Sequence, residues 1–158
     1  MSRIAVISDS HGSLRNLDRF LPRLGQVDAL WHLGDCTEDA PRLAQALNCG
    51  FVSVRGNCDP FSDQPLTQTV DWHGRRFLLL HGHTAGGRLA LLYAAKEQRA
   101  DAVLFGHSHV ASSETVQGIL LLNPGSLSRP RGGRGPSMAL LTLTDAALNA
   151  ELLFCDGV

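Results

Sequence analysis

The sequence predicts an α/β fold, and three observations carry that expectation. In the N-terminal half, short apolar strand-like runs alternate with helical periodicity in the order βαβαβ, which yields a largely parallel sheet with helices packed on it. The C-terminal half carries three two-residue turn signals between strand-like runs, so antiparallel hairpins are expected to dominate it. The length of 158 residues and the 44% hydrophobic content suit one domain over residues 1–158 with a sizeable core. A chain of roughly 150 residues buries about 68–70% of the surface its unfolded form exposes.

The elements follow in order. Ile4–Ser8 is an apolar, β-branched run that predicts a buried strand. Ser13 is a candidate N-cap for a helix in which Leu14, Leu17, Phe20, Leu21 and Leu24 recur at helical spacing and Gly25 closes the end. Ala29–Leu33 predicts a second strand; Leu43, Ala46 and Leu47 mark a helix with Pro41 in its first turn. Phe51–Val54 predicts the third strand. Gln68–Trp72 and Arg75–Leu80 flank a His73-Gly74 turn, Leu89–Gln98 has helical character, and Ala102–Phe105 predicts a buried strand. Ser113–Val116 and Ile119–Leu122 flank Gln117-Gly118, and Met138–Leu143 and Leu148–Phe154 flank Asp145-Ala146. The segment Arg129 to Pro136 is the one low-complexity stretch and predicts a loop.

Composition excludes several classes. Fourteen basic against fifteen acidic residues leave a net charge of −1, which argues against nucleic-acid binding through bulk positive charge. The longest apolar run, Leu89 to Ala95, is seven residues, far short of the roughly 20 needed to span a bilayer. Met1-Ser2-Arg3 leads directly into Ile4–Ile7, too short for the apolar part of a signal peptide. No two of Cys36, Cys49, Cys58 and Cys155 have Cys-x-x-Cys spacing. The expectation is a cytoplasmic protein with reduced thiols.

Polar residues gather where strands end. Asp9-Ser10-His11-Gly12, Gly34-Asp35-Cys36, Arg55-Gly56-Asn57-Cys58-Asp59, His81-Gly82-His83, Gly106-His107-Ser108-His109 and Asn123-Pro124-Gly125-Ser126 each follow an apolar run. Ligands of α/β sheets bind outside the carboxyl ends of strands. Five of the seven histidines lie in these clusters; His32 and His73 read as an ordinary strand residue and a turn residue. Asp9/His11 and His107/His109 are i, i+2 pairs, which share a face if the segment is extended. Two carboxylates, one amide oxygen and at least four imidazoles form an oxygen-and-nitrogen donor set. It suits Mn, Fe, Zn, Co or Ni better than Ca or Mg and is too large for one tetrahedral ion. Two ions sharing a bridging carboxylate, roughly 3.5–4 Å apart around one activated water, fit it better.

The order Asp-x-His, Gly-Asp, Gly-Asn-x-Asp, His-Gly, Gly-His-x-His resembles the calcineurin-like metallophosphoesterase superfamily. The short chain, Gly56-Asn57-Cys58-Asp59 and Asn123-Pro124-Gly125-Ser126 resemble its small YfcE-like phosphodiesterase branch. The resemblance runs from Ile4 to about Pro130. It implies a four-layer α/β/β/α sandwich, two sheets flanked by helices, with a dinuclear centre at one edge. It also implies one ion on Asp9, His11 and His109, a bridging Asp35, and a second ion on Asn57, His81 and His107. Mn is the first expectation, with Fe, Zn, Ni and Co as alternatives. A bridging hydroxide would attack phosphorus in line, on a small phosphoester or phosphodiester substrate; a homo-oligomer is compatible with this. Family position favours His81 over His83 as ligand and leaves His83 near the phosphate or behind the ligands.

Two departures stand out. Where the wider superfamily carries histidine after Gly-Asn, this chain has Cys58, whose thiol could donate a proton but is a poor substitute for imidazole; protonation of the leaving group is therefore unassigned, with His83 or water as candidates. Where the wider pattern has a second aspartate after Gly-Asp, this chain has Glu38, with Asp39 one residue late, and neither receives a role. Two rival readings remain. Gly106-His107-Ser108-His109-Val110 approaches a serine-hydrolase nucleophile elbow but ends in valine. A non-catalytic protein-binding scaffold of the same fold, as in the retromer subunit, predicts missing ligands, whereas all seven positions hold competent donors. Arg129, Arg131 and Arg134 could grip a phosphate if their loop lies at the site.

Overall fold

The computed structural model describes residues 1–155, so the last three residues of the expected 1–158 domain lie outside it. The first sheet is built on β1 (Ser2–Ile7), whose Ile4–Ile7 run is fully buried. The parallel strands β2 (Ala29–His32) and β3 (Gly50–Ser53) extend it on one side. On the other side β9 (Ser137–Leu143) pairs antiparallel with β1, and β10 (Leu148–Phe154) pairs with β9. The third expected hairpin therefore closes the first sheet, not the second. The second sheet has the order β4 (Thr67–Trp72), β5 (Arg75–Leu80), β6 (Ala102–Leu104), β8 (Ile119–Asn123), β7 (Ser112–Val116).

The C-terminal half is dominated by antiparallel pairing, as the sequence predicts: β4–β5, β7–β8, β9–β10 and β1–β9 are antiparallel, and the exception is the centre of the second sheet. Strands β5, β6 and β8 run parallel, and the two hairpins only add β4 and β7 at the edges. The parallel β5–β6 pair requires a crossover, which α3 (Arg88–Gln98) supplies. Hairpin turns are local signals, whereas a strand's second partner is fixed only by tertiary packing.

Three apolar layers hold the sandwich. Between the sheets, Ile4, Val6 and Trp31 face Phe77, Leu79 and Leu104. The Trp31 ring meets the Phe77 ring at 4.9 Å and that of Trp72 at 6.1 Å, both edge-on. Outside the first sheet, Ala5, Ile7 and Leu30 pack on Phe20, Leu24, Leu43 and Leu47; outside the second, Leu78, Val103 and Leu121 pack on Leu91, Leu92 and Ala95. The result is the expected helix–sheet–sheet–helix order. Helix α2 (Asp39–Leu47) buries Leu43, Ala44 and Leu47 and ends at Asn48, which turns left-handed and returns its N–H to Ala44 and Gln45. Ala46, expected on the buried face, is exposed.

The helix expected from Ser13 to Leu24 is broken. A 3₁₀ turn at Leu17–Arg19 is followed by a single helical turn, α1, at Leu21–Leu24. Pro22 lacks an N–H and its ring would clash with the carbonyl four residues back, so the helix must restart beside it. The Ser13 N–H closes a tight turn onto Ser10 and does not open a helix. Leu17, Phe20 and Leu24 are nevertheless buried, because burial needs only their spacing. No helix among the described residues is long and apolar enough to cross a membrane.

Candidate metal centre

The loops after β1, β2, β3, β5, β6 and β8 meet at one edge of the sandwich. The Asp9 N–H donates to the Gly34 carbonyl at 3.0 Å, Gly106 to His81 at 2.9 Å, and Leu127 to Ser8 at 3.3 Å. The backbone there is tightly turned: Asp9, His11, Asp35, Cys36, His107 and His109 all have φ between 47° and 75°. The i, i+2 pairs thus reach the site from left-handed turns, not from the extended strand that their spacing suggests. Such conformations cost of order 1–3 kcal/mol each and persist where the surroundings enforce them. Here close approach does so: a Cβ on Gly106 would lie 2.1 Å from Ser8 Oγ and 2.7 Å from Asp9 Oδ2.

Asp9, His11, Asp35 and His109 bring one ligand atom each to within 4.8 Å of one another. Asp9 Oδ1 is 3.1 Å from His109 Nε2 and 3.8 Å from His11 Nε2; Asp35 Oδ2 is 3.5 Å from His11 Nε2. His81 joins from the second sheet, with Nε2 3.4 Å from Asp35 Oδ2 and 3.7 Å from Asp9 Oδ1. His107 Nδ1 lies 3.1 Å from Asn57 Oδ1 in the same cleft. Outer contacts aim the rings. His81 Nδ1 donates to the Leu33 carbonyl at 2.8 Å and His109 Nδ1 to that of Arg129 at 2.7 Å, leaving each Nε2 lone pair directed inward. Asp9 Oδ2 accepts from Ser8 Oγ and the His107 N–H.

Electrostatics follow from this crowding. Burial opposes ionisation of Asp35, but the adjacent His81 and His11 imidazoles and the hydrogen bond from the Cys58 N–H hold its pKa well below the usual carboxylate range. Burial alone would lower the His81 pKa; the adjacent carboxylates of Asp35 and Asp9 outweigh it and raise the value. His11 is lowered by burial, partly offset by Asp35. Asp9 Oδ1 and His81 Nε2 are buried with no hydrogen-bond partner. An orphaned carboxylate oxygen facing an imidazole lone pair is costly without a cation between them, so the donor set fits divalent metal.

Residues 2–146 match the calcineurin-like phosphoesterase superfamily domain. The chain belongs to this superfamily. Among its relatives, the probable metallophosphoesterase YsnB of Bacillus subtilis is 38% identical over 148 residues, covering 91% of this chain and 86% of the relative. The phosphodiesterase YfcE of Escherichia coli is 34% identical over 178 residues, covering 96% and 95%. A predicted phosphoesterase from Streptococcus pneumoniae superposes with a TM-score of 0.80 at 33% identity, over 97% of this chain and 89% of that one. Vps29 from Entamoeba histolytica, solved with Zn, shares the fold at a TM-score of 0.78 and 22% identity, over 96% and 98%.

The superfamily motifs also contain residues whose work the sequence did not reveal. His83 lies beside two other imidazoles, 5.4 Å from His81 and 6.2 Å from His107 between centroids; its Nδ1 is buried without a partner, and burial and the two neighbouring histidines lower its pKa. Cys58 is exposed, but partial desolvation of its thiol and the nearby Asp35 carboxylate raise its pKa. Asp39, given no role from sequence, is buried and accepts the Gly12 N–H at 2.8 Å. Ser126 Oγ donates to the Asp9 carbonyl at 2.7 Å, and Ser128 Oγ to that of Ser10 at 2.7 Å. Asn123 Nδ2 holds the Gly106 carbonyl and Ser108 Oγ. That bond and one from the Val110 N–H engage Ser108 Oγ as an acceptor, which is no arrangement for a nucleophile. Arg129 and Arg131 line a cleft of about 470 Å³ together with His11, Asp35, Asn57, His107 and His109, whereas the Arg134 guanidinium stacks 3.7 Å from the Phe154 ring.

Proposed function

We propose that this superfamily member is a metal-dependent phosphodiesterase acting with two divalent ions. The carrying observation is the pair of orphaned, buried, inward-facing atoms, Asp9 Oδ1 and His81 Nε2, within a donor set too large for one ion. Asp9, His11 and His109 would hold one ion, Asn57, His81 and His107 the other, and Asp35 would bridge. Mn, Fe, Zn, Ni and Co suit these donors, with Mn the first choice to test. When bound, the ions supply a hydroxide nucleophile at neutral pH and neutralise charge on the phosphoryl oxygens.

The chain's own groups do the rest. Arg129 and Arg131 at the cleft attract and orient the phosphodiester. The depressed pKa of His83 keeps its imidazole neutral at pH 7, suited to hydrogen-bonding a substrate oxygen. The raised pKa of Cys58 keeps its proton in place, facing the cleft as a donor to the leaving oxygen. The decisive experiment is elemental analysis of the purified protein, joined to hydrolysis of bis-p-nitrophenyl phosphate with and without added Mn. The expected result is two ions per chain and activity lost on chelation and restored by metal. Asp35→Ala should abolish activity, since it removes the carboxylate proposed to contact both ions; substantial residual turnover refutes the bridge. A metal-free protein with no turnover would instead support a binding scaffold.

A further inference from the structure

We infer that Asp59 is the positioning residue of this centre: its carboxylate laces the Asp35 loop to the Asn57 loop and sets the aim of the Asp35 carboxylate. The inference rests on the dinuclear reading above. Asp59 is 7% exposed. Its Oδ2 accepts the Asp35 and Gly56 N–H groups, both at 2.8 Å, and its Oδ1 accepts those of Cys36 at 2.8 Å and Thr37 at 3.0 Å. An ionised carboxylate offers about four lone-pair sites, and here each meets a backbone donor. Three donors come from the loop after β2 and one from the loop after β3, so the carboxylate fastens two separate segments.

The lacing is reciprocal. Asp35 Oδ1 accepts the Cys58 N–H at 2.9 Å, which leaves Asp35 Oδ2 directed at His11 Nε2 and His81 Nε2, 3.5 and 3.4 Å away. Asp35 and Cys36 are both left-handed, with φ of 61° and 75°, a conformation held here by the three converging N–H bonds. The loops meet so closely that a Cβ on Gly56 would lie 2.2 Å from Asp35 Oδ1. Asp59 touches no ligand side chain. It acts through the backbone of one proposed ligand, Asp35, and lies two residues from another, Asn57.

A neutral amide at position 59 keeps the size but turns an NH₂ donor toward two of the four N–H groups. The test is Mn²⁺ titration of wild type and Asp59→Asn, followed by equilibrium dialysis and electron paramagnetic resonance. Wild type should bind two Mn²⁺ with a spin-coupled spectrum. Asp59→Asn should bind the second ion about 10–100-fold more weakly and show an uncoupled six-line signal. An unchanged second affinity with a coupled spectrum overturns the inference. Amide hydrogen exchange in metal-free wild type reads the clamp without any variant. The N–H groups of Asp35, Cys36, Thr37 and Gly56 should be protected, and exchange at the rate of exposed loops overturns the clamp even if Asp59→Asn fails to fold. Wild type that takes up a single ion defeats the dinuclear reading instead, while the exchange result still decides the clamp.

Discussion

Lowering the pH from 7 to 5 should remove about 2 kcal/mol of folding stability through one imidazole, His32. This side chain lies at the end of β2 and is fully buried. Its Nδ1 accepts the Gly34 N–H at 3.2 Å, so Nε2 carries the proton and donates to Ser10 Oγ at 2.9 Å. The neutral ring thereby ties together the two loops that present Asp9, His11 and Asp35. Burial pushes the His32 pKa from 6.5 down to about 4, with Asp39 and Asp59 only partly opposing it. The unfolded chain therefore binds the proton first as pH falls. The stabilisation is complete above about pH 6.5, declines below it, and is gone near pH 4. For a single group the loss is RT ln[(1 + 10^(6.5−pH))/(1 + 10^(4−pH))], about 2 kcal/mol at pH 5 and about 3 kcal/mol fully developed. Urea unfolding of metal-free protein at several pH values measures it, with His32→Gln as the non-titrating reference. The wild-type curve should fall more steeply than the variant's by that amount. Superimposable pH profiles, or a His32 NMR titration midpoint near 6.5, would refute the reasoning.

Other perturbations address the site. Gly56→Ala places a methyl 2.2 Å from Asp35 Oδ1, so Mn affinity should drop more than 10-fold by calorimetry, because Asp35 must move; unchanged affinity would show that the loops yield. Arg129→Ala and Arg131→Ala should each raise KM for an anionic diester several-fold, whereas Arg134→Ala should not, since Arg134 is stacked on Phe154; steady-state kinetics on all three separates them. His83→Asn should lower kcat while two ions stay bound, by roughly 10²-fold if the ring contacts the reacting phosphate. Loss of a metal ion in that variant would make His83 a ligand instead.

The legible parts of this protein were those fixed by local chemistry. The hairpins at His73-Gly74 and Gln117-Gly118 lie where the turn residues put them, because a two-residue turn sets its own register. The clusters after each apolar run were equally plain, and Asp9, His11, Asp35, His81 and His109 do converge. Harder to read was how they converge. Left-handed turns at Asp9, His11, His107 and His109 are unfavourable in an isolated chain and survive because neighbouring loops press against them. Pro22 broke the expected first helix, yet the apolar spacing around it still served the core.

The sequence by itself determined the donor atoms, their order along the chain and the strand ends that carry them, since residue type and apolar patterning are local properties. Only the tertiary structure decided which strands pair across the second sheet and which atoms face one another. It also decided which buried groups tie the loops of the donor cluster together: His32 under two loops, Asp39 on the Gly12 N–H, Asp59 on four amides. A side chain that binds backbone leaves no pattern in sequence, because every residue but proline offers the same N–H, and only folding determines which amides converge on one carboxylate.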